Sequence, residues 1–295
     1  MKTYLFCLII HSLCVITVLY PQKQIQGGLY VGGINYEGDL APSSFVVSAS
    51  ETHLDLGVFV YLKTTDWLGL KINYHHGQLS GSDARSNEDS RRTRNLHFKS
   101  PLDELSVSSA FFYSFNTRKQ KTIQPFLNFG LGIFRFNPRA EYNGQWYELQ
   151  PLSTEGQGMN GFPNRKPYKR TQICFPLGAG IQMSLNKRVQ LTIDISLRKT
   201  LTDYLDDVSM TYVPLEELRQ ERGEIAAILS NRILSTDFAQ FSLSQSPRGI
   251  PQNKDWYIIG SIGLVGNILG KNKKTNFFQK KTDYMNCKKI FKKRQ

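Results

Sequence analysis

Two groups of residues in this chain have side chains and spacing that could do chemistry. His75 and His76 are followed by Ser80, Ser82 and Asp83, which would supply a nucleophile, a base and an acid if other segments completed the geometry. Asp203, Asp206 and Asp207 stand together in TDYLDDVS, and clustered carboxylates suit a hard cation such as calcium. The acidic run lacks the rest of any calcium-loop pattern and follows Arg198 and Lys199, so its expected use is a local salt-bridge and turn network. Cys174 and Cys287 lie too far apart in sequence for a zinc site. Gly130, Gly132, Gly178, Gly180 and Gly263 fall inside apolar alternating runs, where they permit curvature and close packing and do not form a phosphate loop. The expectation is therefore a non-enzymatic protein with no catalytic, cofactor-binding or metal-ligating residues. A lipid-modifying enzyme using His75 or His76 is the alternative.

The elements that carry these residues are strands. Val189 to Arg198, VQLTIDISLR, sets Val, Leu, Ile, Ile and Leu on one parity against Gln, Thr, Asp, Ser and Arg on the other. Similar alternation recurs near 28–36, 54–62, 67–76, 104–115, 123–136, 171–185, 188–199 and 255–265. Each run reaches or approaches the roughly 9–11 residues a tilted strand needs to cross a bilayer. Beyond the N-terminus nothing approaches the roughly 20 apolar residues of a membrane helix, which excludes a polytopic helical protein. The reading is an all-β fold, an eight-stranded antiparallel up-and-down transmembrane β-barrel with long external loops.

Residues 1–24, beginning MKTYLFCLIIHSLCVITVLY, read as a secretory signal peptide: Lys2 is followed by a long apolar run. Residues 25–267 form the barrel and 268–295 a basic C-terminal tail. From Lys271 to Gln295 the chain holds ten Lys or Arg against the single acid Asp283, so most of the net charge of +13 sits in this tail. An exported chain does not meet nucleic acid, and a basic tail there suits anionic headgroups, cell-wall polymer or an acidic partner.

Connection lengths alternate. Short links fall at Lys63 to Asp66, Asn116 to Thr122 and Asn186 to Lys187, and long ones near 37–53, 77–103, 137–170 and 200–254. Such sorting fits tight periplasmic turns, long external loops and periplasmic termini, with outer-membrane lipid as the surrounding partner. An eight-stranded barrel is just wide enough to be filled by its own side chains. Asp55, Lys71, Asn128, Asp194 and Arg198 then face inward, where unpaired charge is costly, and ion pairs are expected among them. Asp203, Asp206 and Asp207 fall at the outer rim. Pro214 to about Arg232 reads as a helix lying over the barrel mouth, and QPLSTEGQGMNGFPNRKP, Gln150 to Pro167, as irregular.

The segments RNLHFKSPLDE (Arg94–Glu104), IQPFLNFGLGIFRFNP (Ile123–Pro138), LQPLSTEGQG (Leu149–Gly158), FPLGAGIQ (Phe175–Gln182) and LRKTLTDYLDDVS (Leu197–Ser209) resemble the Bacteroidota outer-membrane barrels typified by PorG of the type IX secretion system. What the resemblance implies is a non-enzymatic barrel component of a protein-export machine that anchors or contacts periplasmic ring proteins. Barrel paralogues without a secretion role share that pattern. The basic extension after the last strand departs from it, since such barrels tend to end on that strand.

Overall fold

The computed structural model describes residues 24–42, 47–116, 122–186, 188–233 and 246–269. The segment read as a signal peptide, apart from Gln24, and the tail beyond Leu269 lie outside the described residues, as does most of the link before Thr122.

Strands follow from the alternation seen in the sequence. In chain order they are β1 (Gln24–Glu37), β2 (His53–Lys63), β3 (Leu68–Ser82), β4 (His97–Phe112), β5 (Phe115–Asn116), β6 (Thr122–Phe136), β7 (Arg139–Tyr142), β8 (Gln145–Glu148), β9 (Thr171–Ser184), β10 (Val189–Thr200) and β11 (Trp256–Leu269). Eight long ones, β1, β2, β3, β4, β6, β9, β10 and β11, pair antiparallel with their sequence neighbours. The circle closes through β1 on β11, with Val31 opposite Ile262 and Tyr36 opposite Tyr257. β5 only extends the turn before β6, and β7 with β8 forms a small hairpin above the barrel.

The outward parity makes an apolar belt. Leu29, Leu56, Val58, Leu105, Val107, Leu127, Phe129, Leu177, Ile181, Ile193, Ile195 and Leu264 are all exposed. A contiguous apolar surface of this extent is not tolerated in water, and around a closed sheet it is a lipid-facing wall. Aromatic side chains edge it. At the short-turn end Trp67 stacks near Phe111, which stacks on Phe129. At the long-loop end Lys199 lies 4.0 Å from the Trp256 ring and Lys99 4.9 Å from the Trp146 ring, as amphipathic rings and cations do at an interface.

The inward parity fills the lumen in layers. Lys63 donates to Gln182 (3.1 Å) and Gln124 (3.3 Å) near the short-turn end. Above it Tyr30, Phe59, Tyr61, Phe112 and Phe126 pack together. Glycines opposite the large rings make this possible: a Cβ on Gly57 would come within 2.2 Å of the Tyr30 ring, and one on Gly180 within 2.5 Å of Phe126. A charged layer follows, then a second apolar cluster around Ile34, Leu79, Phe98, Leu102, Phe134, Phe136 and Tyr257 that runs into the loops.

β3 and β4 stay paired to Ser82 opposite His97, well past the belt. They carry the long connections upward into a head with its own core of Met159, Val213, Leu218 and Ala226. Before the Gln150–Pro167 segment, β7 and β8 turn through Asn143 and Gly144, both at positive φ, which is how an Asn-Gly pair closes a two-residue hairpin. The single helix expected from Pro214 is two helices, Leu215–Arg222 and Glu224–Ser230, broken at Gly223 with φ +92°. The short apolar run Phe45 to Ala49 does not extend β2 over its described part: Phe45 and Val46 lie outside the described residues, and Ala49 lies in a 3-10 turn.

Ile195 sits in the middle of the belt and is 57% exposed, whereas Leu201, equally exposed, lies beyond the end of β10. Ile195→Arg is expected to destabilise the barrel by about 2–4 kcal/mol and Leu201→Arg by about 0–1 kcal/mol. Reversible urea unfolding in lipid vesicles measures both, and equal costs would mean that the belt does not face hydrocarbon.

Candidate functional site

Two buried polar systems stand out, one in the lumen and one in the head. Alternation places Asp55, Lys71, Asn128, Asp194 and Arg198 on the inward parity of β2, β3, β6 and β10, and all five are buried. Lys71 and Asp194 form an ion pair at 3.1 Å, and Ser261 donates to the second carboxylate oxygen at 3.0 Å. The Lys71 ammonium also lies 5.2 Å from the Phe59 ring and 5.5 Å from Tyr61, capping the aromatic layer. Asn128 lies over Gly178, where a Cβ would come within 2.7 Å of its Oδ1.

Asp55 and Arg198 do not pair with each other or with Lys71. They are joined by two residues absent from the expected inward set, His75 and Glu104. His75 Nδ1 lies 2.8 Å from Asp55, and its Nε2 lies 3.0 Å from an Arg198 nitrogen. Arginine can only donate, so Nε2 accepts and Nδ1–H donates to Asp55, which fixes a neutral imidazole. Arg198 donates through Nε to Glu104 (3.1 Å) and through Nη1 to the Ser196 carbonyl (2.9 Å). Tyr257 donates to the same Glu104 oxygen at 2.8 Å and reaches Cys174 Sγ at 3.4 Å. The result is a chain, Asp55–His75–Arg198–Glu104–Tyr257, spanning β2, β3, β10, β4 and β11. The signal for both missing members was parity: His75 shares its face with Lys71 and Asn73, and Glu104 with Ser106 and Ser108.

The His-Ser-Asp grouping does not assemble. His75 points into the lumen, while His76 is exposed on the outer face, 2.8 Å from Asp103. Ser80 instead meets His53 Nε2 at 2.6 Å and donates its proton to Glu51 in a short hydrogen bond. A hydroxyl has one proton, so Ser80 cannot also donate to His53, and the pair is wired opposite to a nucleophile and its base. Asp83 is taken by Arg94, Nε and Nη2 each 2.7 Å from a carboxylate oxygen.

In the head, Asp203, Asp206 and Asp207 are buried, which their spacing in a loop did not suggest. Their partners are not Arg198 and Lys199. Arg198 points into the lumen, and the Lys199 ammonium donates to the Lys254 carbonyl at 2.9 Å. Asp206 accepts from Tyr36 (2.6 Å) and from the Val208 amide (2.9 Å), and Tyr36 also reaches Asp255 at 3.3 Å. Asp207, at φ +68°, accepts from Tyr168 (2.6 Å) and in a short bond from Thr154. Arg248 donates to the Asp207 carbonyl (2.6 Å) and to Glu155 (3.1 Å), whose carboxylate also receives the Ser209 and Met210 amides. STEGQG and TDYLDDVS therefore form one buried node.

Arg94 completes it. Besides gripping Asp83, it donates to the Asp39 carbonyl at 3.0 Å and, in a short bond, to the Arg248 carbonyl. Arg94 and Arg248 between them tie all four long connections together. Sequence reading passed over both, because the partners through which they join one loop to another lie 41 to 154 residues away.

Burial raises the carboxyls of this node, Asp203 to about 7 and Asp207 to about 6, with Ser209 and Arg248 respectively opposing the shift. Neither Asp203 oxygen makes a well-formed hydrogen bond, so the Ser209 hydroxyl offsets little of that burial. Asp206 and Asp255 are raised well above the ordinary range by burial and by neighbouring carboxylates. No group of three or more His, Cys, Asp or Glu residues is placed to hold a metal ion among the described residues.

A family model described as "Domain of unknown function (DUF6089)" matches residues 4–222. No curated protein matches the chain. Among solved structures the chain is similar to Neisserial surface protein A, at TM-score 0.38 and 8% identity over 83% of this chain and 97% of that one. It is similar to Ail, the attachment invasion locus protein of Yersinia pestis, at TM-score 0.34 and 9% identity over 84% of this chain and 99% of that one. The outer membrane protease OmpT from Escherichia coli matches at TM-score 0.34 and 7% identity, over 84% and 98% of the two chains.

Arg198→Met strips Glu104 and His75 of a donor in the lumen and is expected to cost about 3–5 kcal/mol. Adding Glu104→Gln to it should recover part of that loss, and urea unfolding of the two variants checks the order. The head carboxyls predict a pH effect of definite sign. Acids whose folded pKa is raised stabilise below the ordinary carboxylate value and lose that contribution as pH rises through the folded value. Hydrogen-exchange protection factors of residues 203–209 should therefore fall between pH 5 and pH 8. Asp203→Asn should flatten that fall, and an unchanged slope would remove Asp203 as its source.

Proposed function

The chain belongs to the DUF6089 family, and from that premise we propose that it is a non-enzymatic outer-membrane barrel component of a type IX-like protein secretion system. Its task on this reading is to anchor or contact periplasmic ring subunits. The observation that carries the reading is the filled lumen. Aromatic layers lie on both sides of the Lys71–Asp194 and Arg198–Glu104 pairs, and breaking buried pairs to open a path costs several kcal/mol. A barrel built this way works through its two ends.

The ends differ. Gln24 and Leu269 lie at the same end as the short turns, the end that is periplasmic in outer-membrane barrels with sorted loops. The basic segment from Lys271 to Gln295 continues from there, so on this orientation its charge is available to acidic subunits or cell-wall polymer. The resemblance of LRKTLTDYLDDVS and STEGQG to the PorG-type barrels supports a secretion role. Those motifs build the head node, so on this reading they hold the outer loops in one shape while the partner contacts lie on the opposite end.

Crosslinked pulldown from membranes, paired with cargo localisation in a deletion strain, tests the proposal. Periplasmic ring proteins should copurify, and cargo should accumulate in the periplasm of the deletion strain. Recovery of the barrel alone with secretion intact would overturn the reading in favour of a structural barrel paralogue. Deleting Lys271 to Gln295 should weaken copurification, and an unchanged yield would remove the tail from the contact.

A further inference from the structure

The outer ends of β6 and β9 form an open recess of about 650 Å³ lined by Arg135, Gln150, Pro167, Tyr168, Lys169, Arg170 and Thr171. Three cations share it. Arg135 and Thr171 are cross-strand partners, and one step below them Ile133 faces Ile173. Those two isoleucines are 51% and 42% exposed on the lipid-facing wall. The recess thus opens directly above hydrocarbon-facing surface, at the height where headgroups begin.

The floor is rigid. Tyr168 is stacked between Phe136 and Tyr204, and its hydroxyl is tied to Asp207. Arg170 is held by Asn137 and Glu148, each at 2.8 Å, and Glu148 is also paired with Arg139 at 3.2 Å. Arg135 and Lys169 are exposed, and neither takes part in an ion pair among the described residues. The acid nearest Arg135 along the rim is Asp103, its cross-strand partner on β4. That carboxylate accepts from Tyr74 (2.7 Å) and lies 2.8 Å from His76, and its charge offsets part of that of Arg135. With Glu148 shared between two arginines, the recess keeps an excess of positive charge. The cation-aromatic pairs Lys99–Trp146 and Lys199–Trp256 stand on other strands of the same rim.

We propose that this recess binds the phosphate-bearing sugar headgroup of a glycolipid in the leaflet facing the long loops, its acyl chains lying along Ile133 and Ile173. Arginine and lysine together suit a phosphate dianion, arginine by bidentate donation and lysine as a point charge. Gln150 and Thr171 add neutral donors and acceptors for hydroxyls. A free phosphate would use the cations alone, whereas the apolar wall continuous with the recess suits an amphiphile. Assigning the leaflet as the outer one rests on the orientation given under the proposed function. The binding chemistry does not depend on it.

The test uses the full chain in phosphatidylcholine nanodiscs, with native mass spectrometry reading bound lipid. Diphosphoryl lipid A should bind. The Arg135→Gln/Lys169→Gln variant should bind it roughly thirty-fold more weakly, two cationic contacts being lost. Lys169→Arg should retain binding, and Arg188→Gln at the short-turn end should leave it unchanged. Equal binding of dephosphorylated lipid A, equal binding of phosphatidylglycerol, or full displacement by millimolar inorganic phosphate would each overturn the glycolipid assignment. So would an equal loss in Arg188→Gln. Protease added to intact cells reads the orientation separately. Lipid binding with loops that resist external protease yet are cut after the membrane is opened would keep the site and overturn the orientation.

Discussion

A sheet surrounded by hydrocarbon can have no edge. Every unpaired amide or carbonyl in that medium costs several kcal/mol, so the ladder between β1 and β11 is the condition on which the other structure rests. Closing eight strands fixes a narrow lumen, and a narrow lumen must be filled by side chains from all of them. That is why glycine opposes tyrosine and phenylalanine in the lower half. Bulk from one strand is accommodated by absence of bulk on the next.

The same constraint explains why charge sits at the centre of the barrel. Thr192, Asp194, Ser196 and Arg198 occupy the inward parity of β10 because the outward parity must be apolar. Asp194 and Arg198 then need partners, which come from β3, β4 and β11. The two lumen ion pairs bond strands that are not neighbours, Lys71 to Asp194 across the lumen and Arg198 to Glu104. Whatever the pairs cost in desolvation, they restrict which strands may stand opposite each other.

Strand number and order were legible in the sequence, and facing in most strands, because a two-residue period survives there; β1 is the exception, with Leu29 and Val31 on one parity and Tyr30 and Ile34 on the other. Val189 to Arg198 reads correctly from one end to the other. What was not legible was closure across distance. The partners of Arg198, Arg94 and Arg248 are set by the curvature of the sheet and the path of the loops, neither of which leaves a local mark. Glu104 and His75 were within reach of the parity argument, but strand ends are its weakest point, and β4 begins seven residues before the alternation is clear. The burial of Asp203, Asp206 and Asp207 escaped for a related reason. A loop rich in carboxylates looks solvated until another loop covers it, and here the covering residues come from STEGQG and Arg248. Asn143 and Gly144 were a legible hairpin signal in a long connection where no strands were expected.

The seam strand β11 has a mechanical consequence. Its last described residue is at the short-turn end, and it lies between β1 and β10 along most of its length. A pull on that end along the strand loads the hydrogen bonds of both ladders together, in shear, and not one after another as in peeling. Shear spreads the load over two flanking strands, so a partner held through the chain's C-terminal extension would be tethered by the whole closed sheet and not by a single edge.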